Sequence, residues 1–407
     1  MKSKKISMPI KIGIALALGI IAGLVCYFGG FPQFTTNYLK PFGTIFINLL
    51  KFIVVPVVLL SMISGIISMG DIKRVGSVGW KALAYFLATT AVACVIGLAV
   101  ASVFNQAKLF PMLKLQEGAE WTGATSVNFM DTLINIFPSN MWEAFSTANM
   151  LQVIVISILF GAGILLAGER AKMIADLVNS AYAVIEKVMN IIIGVSPVGV
   201  FAMIAWVVAN QGAEILGSMA LVLLCAYIGY VLHSILVYSM SVKLFADMSP
   251  VTFFKKVSSA AIFAFTSASS AATLPIAREC ADDMGVRGDI SSFVLPIGCT
   301  MNMDGTAIYQ SVATVFLAAC CGVELTISQM AIVVVTATVA SIGTAGVSGA
   351  GMIMLAMVLT SIGVPVDMIM IVYGIDRLFD MGRTALNTTG DIACSVCVNR
   401  WESRMQN

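Results

Sequence analysis

Near its C-terminal end the chain reads Asp376-Arg-Leu-Phe-Asp380-Met-Gly-Arg383-Thr-Ala-Leu-Asn387-Thr-Thr-Gly-Asp391, three carboxylates and two guanidinium groups within the otherwise apolar run 366–398. The steps from Asp376 through Asp380, Arg383 and Asn387 to Asp391 are 4, 3, 4 and 4 residues. At about 100° per residue these five side chains fall within roughly an 80° arc of one helix, with Thr384 at its edge and Arg377 about 100° from Asp376. Each charge at the centre of a membrane helix costs roughly 2.5–3.5 kcal/mol, so the bare stripe costs on the order of 10 kcal/mol. Structural ion pairing offsets part of that. With Asp304 nearby in the sequence pattern, however, carboxylates are in excess, and cations are the missing partners.

Composition places the stripe in a bilayer. Of 407 residues, 59% are hydrophobic and 11% charged, against roughly 25% charged in soluble domains. At about 20 residues per crossing, the apolar mass supports roughly eight to ten hydrophobic segments. The net charge of +2 gives no basic field, so nucleic acid is excluded as a partner. Most of the nine cysteines, including Cys26, Cys94, Cys225, Cys299, Cys394 and Cys397, lie inside apolar runs, where thiols act as small hydrophobes.

Working back toward the N-terminus, apolar runs occupy approximately 12–27, 42–69, 79–104, 149–168, 179–208 and 214–242, with a polar stretch from Gln106 to Glu143 read as an exposed loop. The first run follows Met1-Lys-Ser-Lys-Lys but has no clear cleavage site, so it is read as a retained helix. Short loops on one side collect Lys2, Lys4, Lys5, Lys73, Arg74, Arg170, Lys172, Lys255, Lys256, Arg400 and Arg404; the other side collects Lys40, Lys108 and Lys114. Both termini are therefore expected in the cytoplasm, with an even number of crossings.

The last third is broken rather than continuous. Thr266-Ser-Ala-Ser-Ser270 interrupts 258–277, Asn302-Met-Asp-Gly-Thr306 interrupts 291–318, and Gly343-Thr-Ala-Gly-Val-Ser-Gly-Ala-Gly351 splits 329–361. The pattern is a re-entrant hairpin followed by a helix, twice. Paired Gly- or Ser-interrupted apolar segments point to the midplane site of a secondary transporter, since irregular backbone survives at that depth only against protein or a watery cavity. The residue chemistry fits an amino acid carried with cations. Asp380 suits an ammonium group, and Arg383 a carboxylate held by two hydrogen bonds. Serines at the hairpin tips, at half-helix N-termini, suit a second carboxylate. Asp304, Asp391, Asn302, Asn387 and carbonyls around Gly298 offer hard oxygen ligands for an alkali cation. No Cys/His cluster suits a transition metal, and no Walker A or Rossmann motif points to nucleotide coupling; no cofactor beyond coupling ions is expected.

Four segments in order, Ser269-Ser-Ala-Ala-Thr-Leu-Pro275, Asn302 to Thr306, Gly343 to Gly351 and Asp380 to Asn387 running on to Asp391, make the chain resemble the dicarboxylate/amino acid:cation symporter family over nearly its whole length. That family includes archaeal aspartate, bacterial glutamate and animal excitatory amino acid transporters. The resemblance implies an all-α polytopic membrane protein of eight transmembrane helices plus two re-entrant hairpins in inverted repeats, a homotrimer working as an elevator in the inner membrane. It divides the chain into scaffold (1–78 and 147–212), extracellular loop (106–146) and transport domain (79–105 and 213–407). It implies sodium-coupled import of aspartate or glutamate, with the outer hairpin as external gate. By position, Arg383 would bind the side-chain carboxylate with Thr306 in support, and Asp380 the amino group. Thr384 and Asn387, with Ser269, Ser270, Val347 and Gly351, would lie at the main-chain carboxylate. One sodium would use Gly298, Asn302, Asn387 and Asp391. A second would lie at Thr300, Met303, Ser341, Ile342 and Thr344, and a third at Thr89, Thr90, Asn302 and Asp304. Ala268 stands where archaeal members carry Arg, Ser348 where they carry Pro, and neutral Gln310 where animal members carry a proton-binding Glu; Arg377 lies a turn before the animal members' extra arginine.

Other readings use less of the sequence. Gly346-Val-Ser-Gly349 superficially matches an intramembrane serine protease, with His233, the only histidine, as base. That leaves the aspartate stripe unexplained, and a lone histidine in an apolar helix is more often a packing residue. A passive anion channel, a neutral amino acid carrier of the same family and a proton-coupled dicarboxylate symporter are the remaining alternatives. The arginine at 383 favours acidic substrates.

Overall fold

A computed structural model describes residues 8–75, 77–111, 134, 137–147, 149–212, 214–340 and 350–406. Among these, every regular element is helical. The first six long segments are α1 (Met8–Phe28), α2 (Lys40–Val75), α3 (Ser77–Gln106), α4 (Met150–Ala167), α5 (Lys172–Gln211) and α6 (Glu214–His233), the last extended by a π-turn (Ser234–Tyr238) into α7 (Ser239–Ala246). Three described helices are long and apolar enough by themselves to cross a membrane: Ile10–Phe28, Ser77–Gln106 and Leu216–Ala246.

Polarity is inverted relative to a water-soluble fold. Ile10, Ile14, Leu18, Ile21 and Val25 form an exposed stripe on α1, while Thr90, Asn302 and Asp304 have no exposed surface and Asp391 has 1%. In hydrocarbon the apolar face costs nothing, whereas polar groups must find partners inside.

Beyond α7 the expected breaks appear. Helices α8 (Pro250–Ser267) and α9 (Ser270–Asp283) lie side by side as a hairpin. Its arms are tied by Lys256 Nζ donating to the Asp283 carbonyl at 2.6 Å and by Ser259 Oγ lying 3.2 Å from Cys280 Sγ. The tip turns at Ala268, whose φ of 48° is left-handed, and Ser269 caps α9 by accepting the Ala272 N–H. Helices α10 (Gly288–Met301) and α11 (Asp304–Cys320) are separated by extended Asn302 and non-helical Met303. Helices α12 (Ile327–Ala340) and α13 (Ala350–Ser361) pack together; the glycine-rich segment between them, with Ser341, Ile342, Thr344 and Val347, lies outside the described residues.

The final helix departs from the sequence expectation of one run over 366–398. A short turn at Val366–Met368 and a helix at Ile369–Tyr373 precede a turn at Gly374–Ile375, and α14 begins at Asp376 and continues to Gln406. Gly374 lies flat against Ile204 and Leu16, so a Cβ there would meet Ile204 at 2.9 Å. The break puts Asp376 in the first turn of α14, where unpaired N–H groups and the helix dipole favour a carboxylate.

Packing falls into two groups. Helices α1, α2, α4 and α5 pack on one another, while α3 and α6–α13 gather around α11 and α14. The groups meet where α13 touches α2 and α4, and where Tyr373 sets its ring edge-on to Phe46 at 5.0 Å.

Candidate functional site

Three polar centres lie in the second group. The first is the start of α14. Arg383, 3% exposed, donates from Nε to Asp380 Oδ1 at 2.8 Å and from Nη1 to Asp376 Oδ1 at 3.4 Å. Its guanidinium lies 5.0 Å over the Tyr309 ring, a cation–π contact that orients the plane. Gly351, at the start of α13, abuts the same guanidinium so closely that any side chain would overlap it, and Gly305 abuts the Arg383 backbone. Glycine is needed at both positions to let backbone approach an arginine. The Thr384 hydroxyl donates to Asp380 Oδ1 at 3.4 Å.

Arg377, about 40° beyond the edge of the stripe by sequence and three residues before Asp380, reaches it. Its Nη1 is 3.8 Å from Asp380 Oδ2, and its Nη2 donates to the Ser267 carbonyl at 3.1 Å. It thereby ties α14 to the tip of the first hairpin, beside Ser269 and buried Ser270.

The second centre surrounds Asp391. Asn302 Nδ2 donates to Asp391 Oδ1 at 3.0 Å and to the Asn387 carbonyl at 2.9 Å. Asn302 Oδ1 is buried with no hydrogen-bond partner, an open acceptor beside a carboxylate. Gly298 lies so close to Asp391 Oδ1 that a Cβ would collide with it. Asn387 accepts the Gly305 N–H at 2.7 Å and directs Nδ2 toward Met303 Sδ (3.4 Å) and Thr306 Oγ1 (3.5 Å). Thr306, expected to support Arg383 at the substrate carboxylate, turns its hydroxyl to Met303 and Asn387.

The third centre is Asp304. Its Oδ1 accepts from Thr90 at 2.7 Å and Thr89 at 3.2 Å; its Oδ2 accepts from the Tyr238 hydroxyl at 2.7 Å and lies 3.0 Å from His233 Nε2. All five residues are buried. The expectation that His233 is a packing residue is corrected: with Tyr238 it belongs to a polar network around Asp304, a role the sequence does not signal for either residue. A π-turn beside a helical histidine gives little signal in composition.

Of the expected site residues, the structure brings together Thr89, Thr90 and Asp304; Gly298, Asn302, Asn387 and Asp391; and Gly351, Asp380, Arg383 and Thr384. The second cation set is seen on one wall only. Met303 is buried there, while exposed Thr300 turns its hydroxyl back to the Ile297 carbonyl at 3.0 Å. Ser341, Ile342, Thr344 and Val347 lie outside the described residues.

The sodium:dicarboxylate symporter family model matches residues 8–401. The chain belongs to that family. It is similar to a proton/sodium-glutamate symport protein of Geobacillus stearothermophilus, 33% identical over 98% of this chain and 96% of the relative. It also resembles a proton/glutamate-aspartate symporter of Escherichia coli (strain K12), 33% identical over 99% and 95%. A C4-dicarboxylate transport protein of Bacillus subtilis (strain 168) is 31% identical over 98% and 94%. A symporter of this family must compensate charge away from water, and the three centres do so differently. At Asp376 and Asp380 the compensation is built in as Arg383. Asp304 and Asp391 meet no Lys or Arg among the described residues.

Proposed function

We propose that this protein is a sodium-coupled secondary symporter that imports an acidic amino acid, aspartate or glutamate, by an elevator movement. The observation that carries the reading is the pair of buried carboxylates, Asp304 and Asp391, with hydrogen-bond donors around them but no Lys or Arg beside them among the described residues. An uncompensated buried charge is costly, and an exchangeable alkali cation bound by oxygen donors removes that cost. Asp391 with the open Asn302 amide oxygen and the Gly298 carbonyl forms one such donor set; Asp304 with Thr89 and Thr90 forms another.

Substrate chemistry follows from the Arg383 centre. A side-chain carboxylate competes with Asp376 and Asp380 for the guanidinium fork, the geometry best suited to two parallel hydrogen bonds. The substrate ammonium then takes the place of Arg383 beside Asp380, so each charge of the resting ion pair is re-matched rather than stranded. Thr384, Asn387 and the capped N-terminus of α9 at Ser269 and Ser270 receive the main-chain carboxylate. Buried, uncharged Gln310 favours sodium over protons as the driving ion. In this reading α1, α2, α4 and α5 form the scaffold of a homotrimer in the inner membrane, with both termini cytoplasmic, and the other group moves.

A C4-dicarboxylate is the second reading, favoured by the Bacillus subtilis relative and by a second guanidinium, Arg377, within 3.8 Å of Asp380. Purified protein in liposomes separates the two. Uptake of labelled aspartate should be competed by glutamate and little by succinate or serine. Dominant competition by succinate would replace the amino acid by a dicarboxylate, and dominant competition by serine would refute both.

A further inference from the structure

His233 is the one histidine in the chain, and its side chain is fully buried against Asp304, 3.0 Å from Nε2 to Oδ2. The backbone explains how it gets there. In an α-helix, residues five apart point about 140° away from each other. Between His233 and Tyr238 the helix widens into the π-turn Ser234–Tyr238, a rare local form that often marks functional positions. The wider turn sets the two rings edge-to-face at 4.8 Å and aims both polar ends at the same carboxylate oxygen. Tyr238 is fixed further by the Leu386 carbonyl, 3.2 Å from its hydroxyl. Gly390, on the next turn of α14, leaves space that any side chain would fill against the Tyr238 hydroxyl and Asn302 Nδ2.

Oδ2 is thus gripped by two donors on rigid aromatic rings. Among the described residues, Oδ1 accepts from the hydroxyls of Thr89 and Thr90. A hydroxyl hydrogen rotates freely, so a threonine that donates to a carboxylate can also offer a lone pair to a cation. A histidine N–H has no such second role while it donates. The two sides of Asp304 are therefore unlike: one is anchored, the other can rearrange around an ion.

We propose that His233 is a positioning residue for cation coupling. With Tyr238 it clamps Oδ2 of Asp304, so that Oδ1 is presented to the cation between Thr89 and Thr90. The inference rests on Asp304 being a cation ligand, as proposed above, and adds the residue that orients it. Partners that orient a metal-ligating group typically change metal affinity by about 10–100-fold when removed.

The test uses the full-length purified protein and sodium alone, read as the sodium-induced rise in melting temperature without substrate, alongside the sodium dependence of aspartate uptake in liposomes. His233→Ala should raise the half-saturating sodium concentration by about tenfold or more in both assays. His233→Gln, whose amide can still donate to Oδ2, should recover most of that loss. A merely structural role would lower the melting temperature equally with and without sodium and leave the half-saturating concentration unchanged; that result overturns the proposal. If His233→Ala does not fold, Tyr238→Phe, which removes the other donor to Oδ2, takes its place, and an unchanged sodium dependence there overturns the proposal equally. Asp304→Asn separates the two levels. If it leaves sodium dependence intact, Asp304 is not a cation ligand and both readings fall. If it weakens sodium while His233→Ala does not, only the clamp is wrong.

Discussion

The acidic groups of α14 and α11 meet their surroundings in opposite ways. At the N-terminal turns of α14, Asp376 and Asp380 face Arg383, with Arg377 alongside, and the local charge is balanced by residues of the same helix. Deeper in the group, Asp304 and Asp391 are equally buried, but their contacts are hydroxyls, an amide and an imidazole. A balanced cluster suits a ligand that brings both charges, whereas an unbalanced one suits a cation. On the proposed reading these are two kinds of site, and coupling between them is coupling between substrate and ion.

The largest effect should come from breaking the balance at the first. Arg383→Cys leaves a substrate side-chain carboxylate without a partner, a loss of several kcal/mol, or at least about two to three decades of affinity. Aspartate and glutamate uptake should collapse, while serine or alanine uptake is retained or gained and stays sodium-dependent. A folded Arg383→Cys protein that still preferred aspartate would show that Arg383 serves only to neutralise Asp376 and Asp380.

Next comes the unbalanced pair. Asp391→Asn keeps shape but removes a charge facing the cation, so apparent sodium affinity should fall. Substrate affinity should fall with it by reciprocal coupling, typically about 5–150-fold. Titrating aspartate binding at fixed sodium concentrations checks this; a sodium effect without a matching substrate effect would separate the two sites.

Arg377→Ala should cost less. It loses a charge-assisted hydrogen bond to the Ser267 carbonyl and a long ion pair with Asp380, both discounted because its side chain is 20% exposed. About 1 kcal/mol, or roughly fivefold in substrate affinity, is the expected size. A much larger loss confined to succinate would sharpen the comparison by making Arg377 a second carboxylate anchor.

The smallest effect belongs outside the membrane. Asp247 is bonded by Arg400 and Arg404 at 3.0 and 2.7 Å, and these contacts hold its carboxyl below the ordinary range. Its contribution is present above the normal carboxylate pKa and is lost as pH falls through the lowered value. Because the cluster is solvent-exposed and screened by salt, Asp247→Asn should change thermal stability slightly, and less still at high ionic strength.

Much of this was legible in sequence because it rests on periodicity and cost. The 4, 3, 4, 4 spacing put Asp376, Asp380, Arg383, Asn387 and Asp391 on one face, and the Ser-rich and Asn302–Thr306 interruptions fell where helices end at Ser267 and Met301. What sequence did not supply were features set by tertiary packing. The break falls at Gly374, where a side chain would meet Ile204 and Leu16 from other helices. Arg377 meets Asp380 as an ordinary i, i+3 pair, but its bond to the Ser267 carbonyl, 110 residues away in the chain, is set by packing. His233 looked inert because its partner, Asp304, is 71 residues away in the chain, and a π-turn changes which neighbours face the same way.

The claim that Asp304 and Asp391 await an exchangeable alkali cation is tested most directly in liposomes by imposing one gradient at a time. Labelled aspartate should accumulate against its concentration when an inward sodium gradient is present at symmetrical pH, and should fail to accumulate under an inward proton gradient in sodium-free buffer. Equal accumulation under the proton gradient alone would contradict the account.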